Sequence, residues 1–153
     1  MRNLLLFILF LTLGAMTVLW VRYGGGDPYP DLTTNPMVAA ASLEEVLSYP
    51  EPIGNVAVSN DGRIFFTVHP ESRPEGNKLL EYVAGAAVPY PTTAAQLELF
   101  DSVLGIAIDR FNRLWTIDHG NHGLRTARIV GIDLATGEIL RDQGFDDSLA
   151  PAG

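Results

Sequence analysis

The strongest constraint in the sequence is an internal repeat. Residues 54–70 (GNVAVSNDGRIFFTVHP) align with residues 104–120 (LGIAIDRFNRLWTIDHG) without a gap, at an offset of 50 residues. Arg63 falls opposite Arg113, and apolar residues fall opposite apolar residues along most of the alignment. A chain that repeats itself at this spacing is built from two copies of one small structural unit.

Each copy has the pattern of a short antiparallel sheet. Two runs of β-branched and aromatic residues flank a turn, SNDGR in the first copy and DRFNR in the second, which is typical of a β-hairpin. A third run follows at the same offset in residues 78–85 and 128–137, and a fourth is predicted at 137–142. Short strands that repeat at a period near 50 residues are typical of β-propeller blades. We therefore predict an all-β fold, with a partial propeller of two blades in residues 44–153.

A hydrophobic segment precedes the repeats. Residues 4–21 are apolar with three exceptions, and arginines flank them at positions 2 and 22. The run is at the short limit for a membrane-spanning helix and longer than most signal-peptide cores. We predict that residues 1–23 form a hydrophobic helix that acts as an uncleaved signal anchor, with the membrane as its partner. The rest of the chain would then be extracytoplasmic, either membrane-anchored or secreted, and periplasmic in a Gram-negative bacterium.

A linker is predicted between the anchor and the repeats. Residues 24–43 are rich in Gly, Pro, Asp and Thr, a composition that buries little apolar surface and indicates a flexible tether. Ser42, with Glu45 three residues later, has the pattern of a helix start, and Pro50 would end that helix after a few residues.

Charge and composition exclude several classes of function. The formal net charge is -8, and two of the ten basic residues lie in residues 1–23, so the remainder is more acidic still. Nucleic-acid binding is therefore not expected. The chain has no cysteine, which excludes disulfides, thiol chemistry and cysteine-ligated zinc. Phosphate-binding, dinucleotide-binding, serine-hydrolase and EF-hand motifs are absent from the sequence.

The repeats carry motifs of a known family. The segment GRIFFTVHP with the following Pro-Tyr-Pro at 89–91, and the segment RLWTIDHG, resemble the major royal jelly and yellow protein family, including its bacterial members. The resemblance covers about residues 44–141. It implies a six-bladed propeller, export from the cytoplasm and a ligand site at the central channel. Two repeats are about two of six blades, so the sequence is expected to be an N-terminal fragment of such a ring.

The segment DHGNHG supplies the candidate site. Asp118, His119 and His122 combine a carboxylate with two imidazoles, groups suited to ligand binding, acid–base chemistry or metal coordination. A structural alternative exists for two of them: His119 aligns with His69 and would serve the loop, and Asp118 would accept backbone N–H bonds. His-x-x-His in a glycine-containing loop lacks the fixed geometry of a helical zinc motif, so we assign no metal site and identify no cofactor.

Three functions are compatible with these features. Insect relatives implied by the resemblance are tied to dopachrome conversion, royal jelly nutrition and salivary amine binding, which favours an exported, membrane-tethered propeller that binds a small amine or dopachrome-like molecule at the channel mouth. A metal-dependent, lactonase-type hydrolase would bring in calcium or another divalent metal, but Glu51 is displaced from the position of the expected ligand. A non-enzymatic protein-interaction propeller is the third. Catalytic residues and enzymatic activity are left open.

Overall fold

A computed structural model describes residues 2–24, 29–35, 37–146 and 148–150. The chain divides into two compact units, residues 1–43 and residues 44–153. Residues 25–28 and 36 of the predicted linker lie outside the described residues. Of the remaining linker, residues 29–35 contain no helix or strand, and a single 3-10 turn spans Ala40–Ser42.

The first unit contains one long helix, α1 (Arg2–Tyr23), with no buried side chain. It is apolar on all sides because leucine, phenylalanine and other apolar residues occupy nearly every position, so it lacks the polar face of a surface helix. Among the described residues, α1 is the helix with the length and composition of a membrane span; an export signal has the same properties. The predicted hydrophobic helix is therefore present.

The second unit consists of two four-stranded antiparallel sheets joined by a short helix. In each sheet the strands follow one another in chain order, as in a meander. The first sheet contains β1 (Ile53–Val58), β2 (Ile64–Val68), β3 (Leu79–Val83) and β4 (Ala86–Pro89). Helix α2 (Thr93–Glu98) connects it to the second sheet, which contains β5 (Val103–Ile108), β6 (Arg113–Asp118), β7 (Arg128–Asp133) and β8 (Ile139–Gly144).

The strand register repeats at the offset of 50 residues. In the first three strands, each residue and its cross-strand partner in one sheet have equivalents 50 positions away in the other sheet. For example, Val56 pairs with Phe66 and Phe66 with Leu80 in the first sheet. In the second sheet Ile106 pairs with Thr116 and Thr116 with Val130. A register irregularity between Ile53 and Asn55 recurs between Val103 and Gly105. The two repeats are thus alike in backbone pairing as well as in sequence.

The two sheets pack face to face through one apolar core. Paired residues point to the same side of a sheet and successive residues alternate. We call the side of Phe65 and Trp115 the forward face of each sheet, and the side of Phe66 and Thr116 the rear face. The forward face of the first sheet packs on the rear face of the second, with this buried core between them: Phe65, Leu79, Tyr90, Phe100, Val103, Leu114, Val130, Ile132 and Leu134.

Arg63 connects the sheets with polar contacts at the edge of this core. Its Nε and Nη2 donate to Glu81 at 2.7 and 2.8 Å, and its Nη1 donates to the carbonyl of Leu134, in the turn that follows β7. The hydrogen bonds to Glu81 raise the pKa of the Arg63 guanidinium further, so it stays charged. Thr67 adds a second bridge, since its Oγ1 donates to the carbonyl of Leu104 at 2.9 Å. These contacts fix how one sheet sits on the other.

The rear face of the first sheet has a different cover. Leu47 and Tyr49 pack against it, and the ring of Tyr49 meets that of Phe66 edge to face at 5.2 Å. Residues 44–49 form neither helix nor strand, so the helix predicted to start at Ser42 is wrong. Packing of two apolar side chains onto the sheet outweighs the weak local preference expressed by the capping pattern.

The all-β prediction is confirmed as two four-stranded sheets. The strand predicted at 137–142 is found at Ile139–Gly144, whereas the fourth strand of the first sheet, Ala86–Pro89, and the helix α2 were not predicted. The described residues do not form a closed propeller.

Removing a side chain from the core between the sheets should weaken the second unit strongly. We expect Phe65→Ala to lower the free energy of unfolding by about 3–5 kcal/mol, because a fully buried ring is replaced by a cavity. Phe111→Ala is the matched control, since that ring is exposed and its loss should change the free energy by less than about 1 kcal/mol. Urea unfolding of the full chain in mild detergent, followed by circular dichroism, measures both. Equal effects of the two substitutions would contradict the described core.

Candidate functional site

A cleft of about 580 Å³ opens where loops of both sheets meet. Its walls are residues 70–74 after β2, residues 101–102 before β5, and residues 119–125 after β6. The end of β6 pairs with the start of β5, and β1 and β2 pair in the same way, so these loops lie at one end of the two sheets. The cleft is therefore built by both repeats together.

Asp118 supports this cleft from beneath. It is the last residue of β6, is 2% exposed and is not among the residues that line the cleft. Its Oδ2 accepts the backbone N–H groups of Asp101 and Ser102 at 2.7 and 2.9 Å. Its Oδ1 accepts the hydroxyl of Ser102 at 2.8 Å and the N–H of Gly120 at 2.9 Å. A carboxylate has about four acceptor positions, so these four donors saturate it. The geometry favours the loop-capping alternative over direct contact with a ligand.

His119 and His69 have the same local role in their loops. His119 Nδ1 accepts the N–H of His122 at 3.1 Å, and His69 Nδ1 accepts the N–H of Glu71 at 3.2 Å. Each imidazole thus caps the turn that follows its strand. His119 also lines the cleft, and its Nε2 makes no hydrogen bond within the described residues, so the ring can serve the loop and still face a ligand.

His122 reaches across the cleft to the other repeat. Its Nε2 lies 2.7 Å from Oε1 of Glu71, and both side chains are largely exposed. Its ring also lies near that of His119, with centroids 4.9 Å apart. An exposed pair of this kind contributes little to stability, so its main effect is to place an imidazole and a carboxylate side by side at the opening.

An unusual backbone conformation holds these side chains. The turn α3 (Gly120–Gly123) has positive φ throughout, 67° at Gly120, 50° at Asn121, 56° at His122 and 80° at Gly123. A Cβ on Gly120 would lie 2.2 Å from the carbonyl oxygen of Arg125, which no side chain can tolerate. The N–H of Asn121 is bound by the hydroxyl of Ser102 at 2.6 Å, which fixes the strained turn in place.

The lining of the cleft carries charges of both signs. Two arginines, Arg73 and Arg125, and two carboxylates, Glu71 and Asp101, contribute to its walls. Within the described residues neither arginine forms a salt bridge, and Glu71 pairs with His122. A site with this composition can bind an ammonium group through a carboxylate and a carboxylate through a guanidinium.

The three candidates from DHGNHG therefore separate into two groups. His119 and His122 line the cleft, and the centroids of their rings are 4.9 Å apart. Asp118 is buried and does not line the cleft. Within the residues that the structure describes, no group of three histidine, aspartate or glutamate side chains has the arrangement of a metal site.

Sequence reasoning missed the contributions of the other loops to the cleft. Glu71 and Arg73 come from the first repeat and Ser102 from the segment before β5. One signal was present: at the offset of 50 residues, Glu71 falls opposite Asn121, so the polar loop of the second repeat has a polar counterpart in the first.

Comparison with known proteins bears on the second repeat. Residues 101–151 match the family model described as Major royal jelly protein. The match confirms the resemblance predicted from the motifs for the second repeat, and it covers the β5–β8 sheet together with Asp118, His119 and His122. No curated protein matches the chain.

Asp118 should matter for stability far more than its neighbour Asp101. We expect Asp118→Ala to lower the free energy of unfolding by about 3 kcal/mol or more, because three backbone N–H groups lose their acceptor, two of them on buried residues. Asp101→Ala keeps its backbone N–H and removes only an exposed carboxylate, so it should change that energy by less than about 0.5 kcal/mol. Chemical denaturation of both variants tests the difference; similar values would refute the capping role.

Proposed function

We propose that the protein is a membrane-tethered, extracytoplasmic propeller of the royal jelly and yellow type, and that it binds a small molecule in the cleft between its two repeats. The ligand is either an amine or a dopachrome-like molecule, and the latter carries a carboxylate. The observation that carries the proposal is the position of the cleft: histidines of the matched royal jelly segment and charged residues of the first repeat line the same cavity.

The way in which the sheets approach each other supports the propeller. The most extensive backbone contacts between the two sheets join β5 to β1 and β5 to β2. The first strands of both meanders thus lie together, and the later strands follow outward from them. Neighbouring blades of a propeller meet at their first strands, so this contact supports the proposed ring. In such a ring the loops that line the cleft would lie at one end of the axis, where the channel opens.

Helix α1 supports the tether. It spans 22 residues, which corresponds to about 33 Å of helix and is enough to cross the hydrocarbon core of a bilayer. Arg2 and Arg22 lie at its two ends, where cationic side chains can reach the interfaces. The second unit carries the acidic charge of the chain, which suits an aqueous extracytoplasmic location and gives no attraction to anionic lipid.

The charges in the cleft indicate how a ligand would bind. Glu71 and Asp101 can accept hydrogen bonds from an ammonium group, and Arg73 and Arg125 can donate to a carboxylate. The imidazoles of His119 and His122 offer flat faces against which an aromatic ring can stack. A volume of about 580 Å³ is in the range of ordinary small-molecule sites. The proposal concerns binding and assigns no catalytic residue.

Two other functions have less support. A lactonase-type hydrolase needs a metal, and the described residues offer no group of three carboxylate or imidazole ligands. A propeller that binds only protein partners would not need a polar cavity with charges of both signs.

Binding of an amine should depend on Glu71. Isothermal titration of the full chain in mild detergent with dopamine, and separately with dopachrome, should give saturable binding. We expect Glu71→Gln to weaken dopamine binding by about 10- to 100-fold, since one charge-assisted hydrogen bond contributes roughly 1.5–3 kcal/mol.

Glu75→Gln is the matched control for this experiment. Glu75 follows the same strand and has the same charge, but it is not among the residues that line the cleft, so its neutralisation should leave affinity unchanged. Absence of saturable binding for both probes, or equal losses in the two variants, would overturn the assignment of the cleft.

A further inference from the structure

A second cavity, of about 310 Å³, adjoins the cleft. All three histidines of the chain contribute to its walls. It shares His119 and the His122–Glu71 pair with the cleft, but it extends to His69 and Leu104, which do not line the cleft. We call this cavity the histidine pocket. Its walls include His69, Pro70, Glu71, Leu104, His119 and His122. Residues of both repeats therefore form it.

A glycine lets the repeats approach each other closely beside this pocket. Gly54 in β1 is the counterpart of Leu104 in β5 at the offset of 50 residues. A Cβ at Gly54 would lie only 2.9 Å from Cδ1 of Leu104 and 3.3 Å from the Cα of His69. The missing side chain in the first repeat thus makes room for Leu104 of the second. The leucine is brought close to the backbone of His69 as a result.

Two equivalent histidines leave the same ring nitrogen free. His69 and His119 directly follow β2 and β6, and each accepts a backbone N–H with Nδ1, at 3.2 and 3.1 Å. A nitrogen that accepts a hydrogen bond carries no proton, so the neutral ring must carry its proton on Nε2. Neither Nε2 has a hydrogen-bond partner among the described residues. The walls of the histidine pocket therefore offer two N–H donors, one from each repeat.

Glu71 supplies the acceptor of the pocket. Its Oε1 is held by Nε2 of His122 at 2.7 Å, whereas its Oε2 makes no hydrogen bond within the described part of the chain. Its backbone N–H is the group that His69 caps, so this carboxylate and that imidazole are fixed as neighbours. Among the described residues, no lysine or arginine lines the pocket. Because the carboxylate repels an anion, the pocket suits an uncharged group that both accepts and donates.

We propose that the histidine pocket is a second binding site, which takes the amide group of a small lactam. The carbonyl oxygen of the lactam accepts hydrogen bonds from Nε2 of His69 and His119, and its N–H donates to Oε2 of Glu71. Pro70 and Leu104 offer apolar surface to the rest of the ring. This assignment does not rest on the proposed function, since His69 and Leu104 lie outside the cleft.

The arrangement of the groups selects a cyclic amide. An open-chain secondary amide is trans, so its carbonyl and its N–H point in opposite directions. A small ring holds the amide cis, and both groups then point to the same side. That geometry matches a donor and an acceptor placed next to each other, as His69 and Glu71 are. The volume lies at the lower end of the range for small-molecule sites, which limits the occupant to a compact ring system.

A series of small ligands tests the proposal. Ligand-detected NMR titrations of the full chain in mild detergent at about pH 8, with protein-free micelles as the blank, should show saturable binding of 2-oxindole. Indole lacks the carbonyl and 1-methyl-2-oxindole lacks the N–H, so each should bind about three- to tenfold more weakly. No saturable binding of 2-oxindole, equal affinity for indole, or tighter binding of benzoate would overturn the proposal.

His69→Asn separates the pocket from the cleft. Asparagine keeps an acceptor that can cap the N–H of Glu71 and removes the Nε2 donor. We expect 2-oxindole to bind about three- to tenfold more weakly, with dopamine affinity unchanged. Glu75→Gln, in the same loop but outside the pocket walls, is the control and should leave 2-oxindole affinity unchanged. Equal losses for 2-oxindole and dopamine would contradict a separate site. Loss of dopamine binding alone from the wild type would count only against the proposed function.

The proton positions can be observed directly. Selective ¹⁵N labelling of histidine gives signals from three imidazoles, and His69→Asn and His119→Asn each remove one and thereby assign it. At about pH 8, where imidazoles are ordinarily neutral, we expect the Nε2–H tautomer for both His69 and His119. Addition of 2-oxindole should shift the Nε2 signals of these two rings. An Nδ1–H tautomer in either ring, or no shift at saturation, would refute the paired donors.

Discussion

The structure depends on a sheet that is apolar on both faces. Phe65 and Phe66 are neighbours in β2, point to opposite sides and are both fully buried. A sheet of this kind cannot face water on either side without exposing an aromatic ring, so it is stable only between two covers. The second sheet is one cover, and Leu47 and Tyr49 form the other. The stacking of the repeats, the position of the loops and the cleft all follow from this requirement.

The sequence predicted the parts of the fold that depend on local pattern. The two hairpins, the third strands and the equivalence of the repeats could be read from alternation and from the offset, because strand pairing places the same residue types at the same levels. The α2 helix and β4 were missed, since Ala86–Pro89 contains a proline and lacks a run of β-branched residues. The helix expected from Ser42 failed because a capping pattern is weak compared with the packing of Tyr49 on Phe66.

The candidate site was only half visible in the sequence for a related reason. The DHGNHG segment contains His119 and His122, but Glu71 lies 51 residues before His122 and reaches it only when the sheets stack. Asp118 shows how one repeat departs from the other. Its counterpart Val68 is buried in an apolar cluster, whereas Asp118 is buried among four donors and organises the loop that follows. A single change from an apolar side chain to a carboxylate thus converts a packing position into a support for a polar cleft.

The left-handed turn at Gly120–Gly123 has a consequence for how the cleft meets a ligand. Asn121 and His122 occupy a conformation that an unsupported chain seldom visits, and the buried carboxylate beneath them keeps it populated. This wall of the cleft is consequently shaped in advance, and a ligand loses little affinity to ordering it. A rigid wall selects ligands by shape complementarity. Molecules that differ by a single substituent would therefore differ chiefly in their dissociation rates from the cleft.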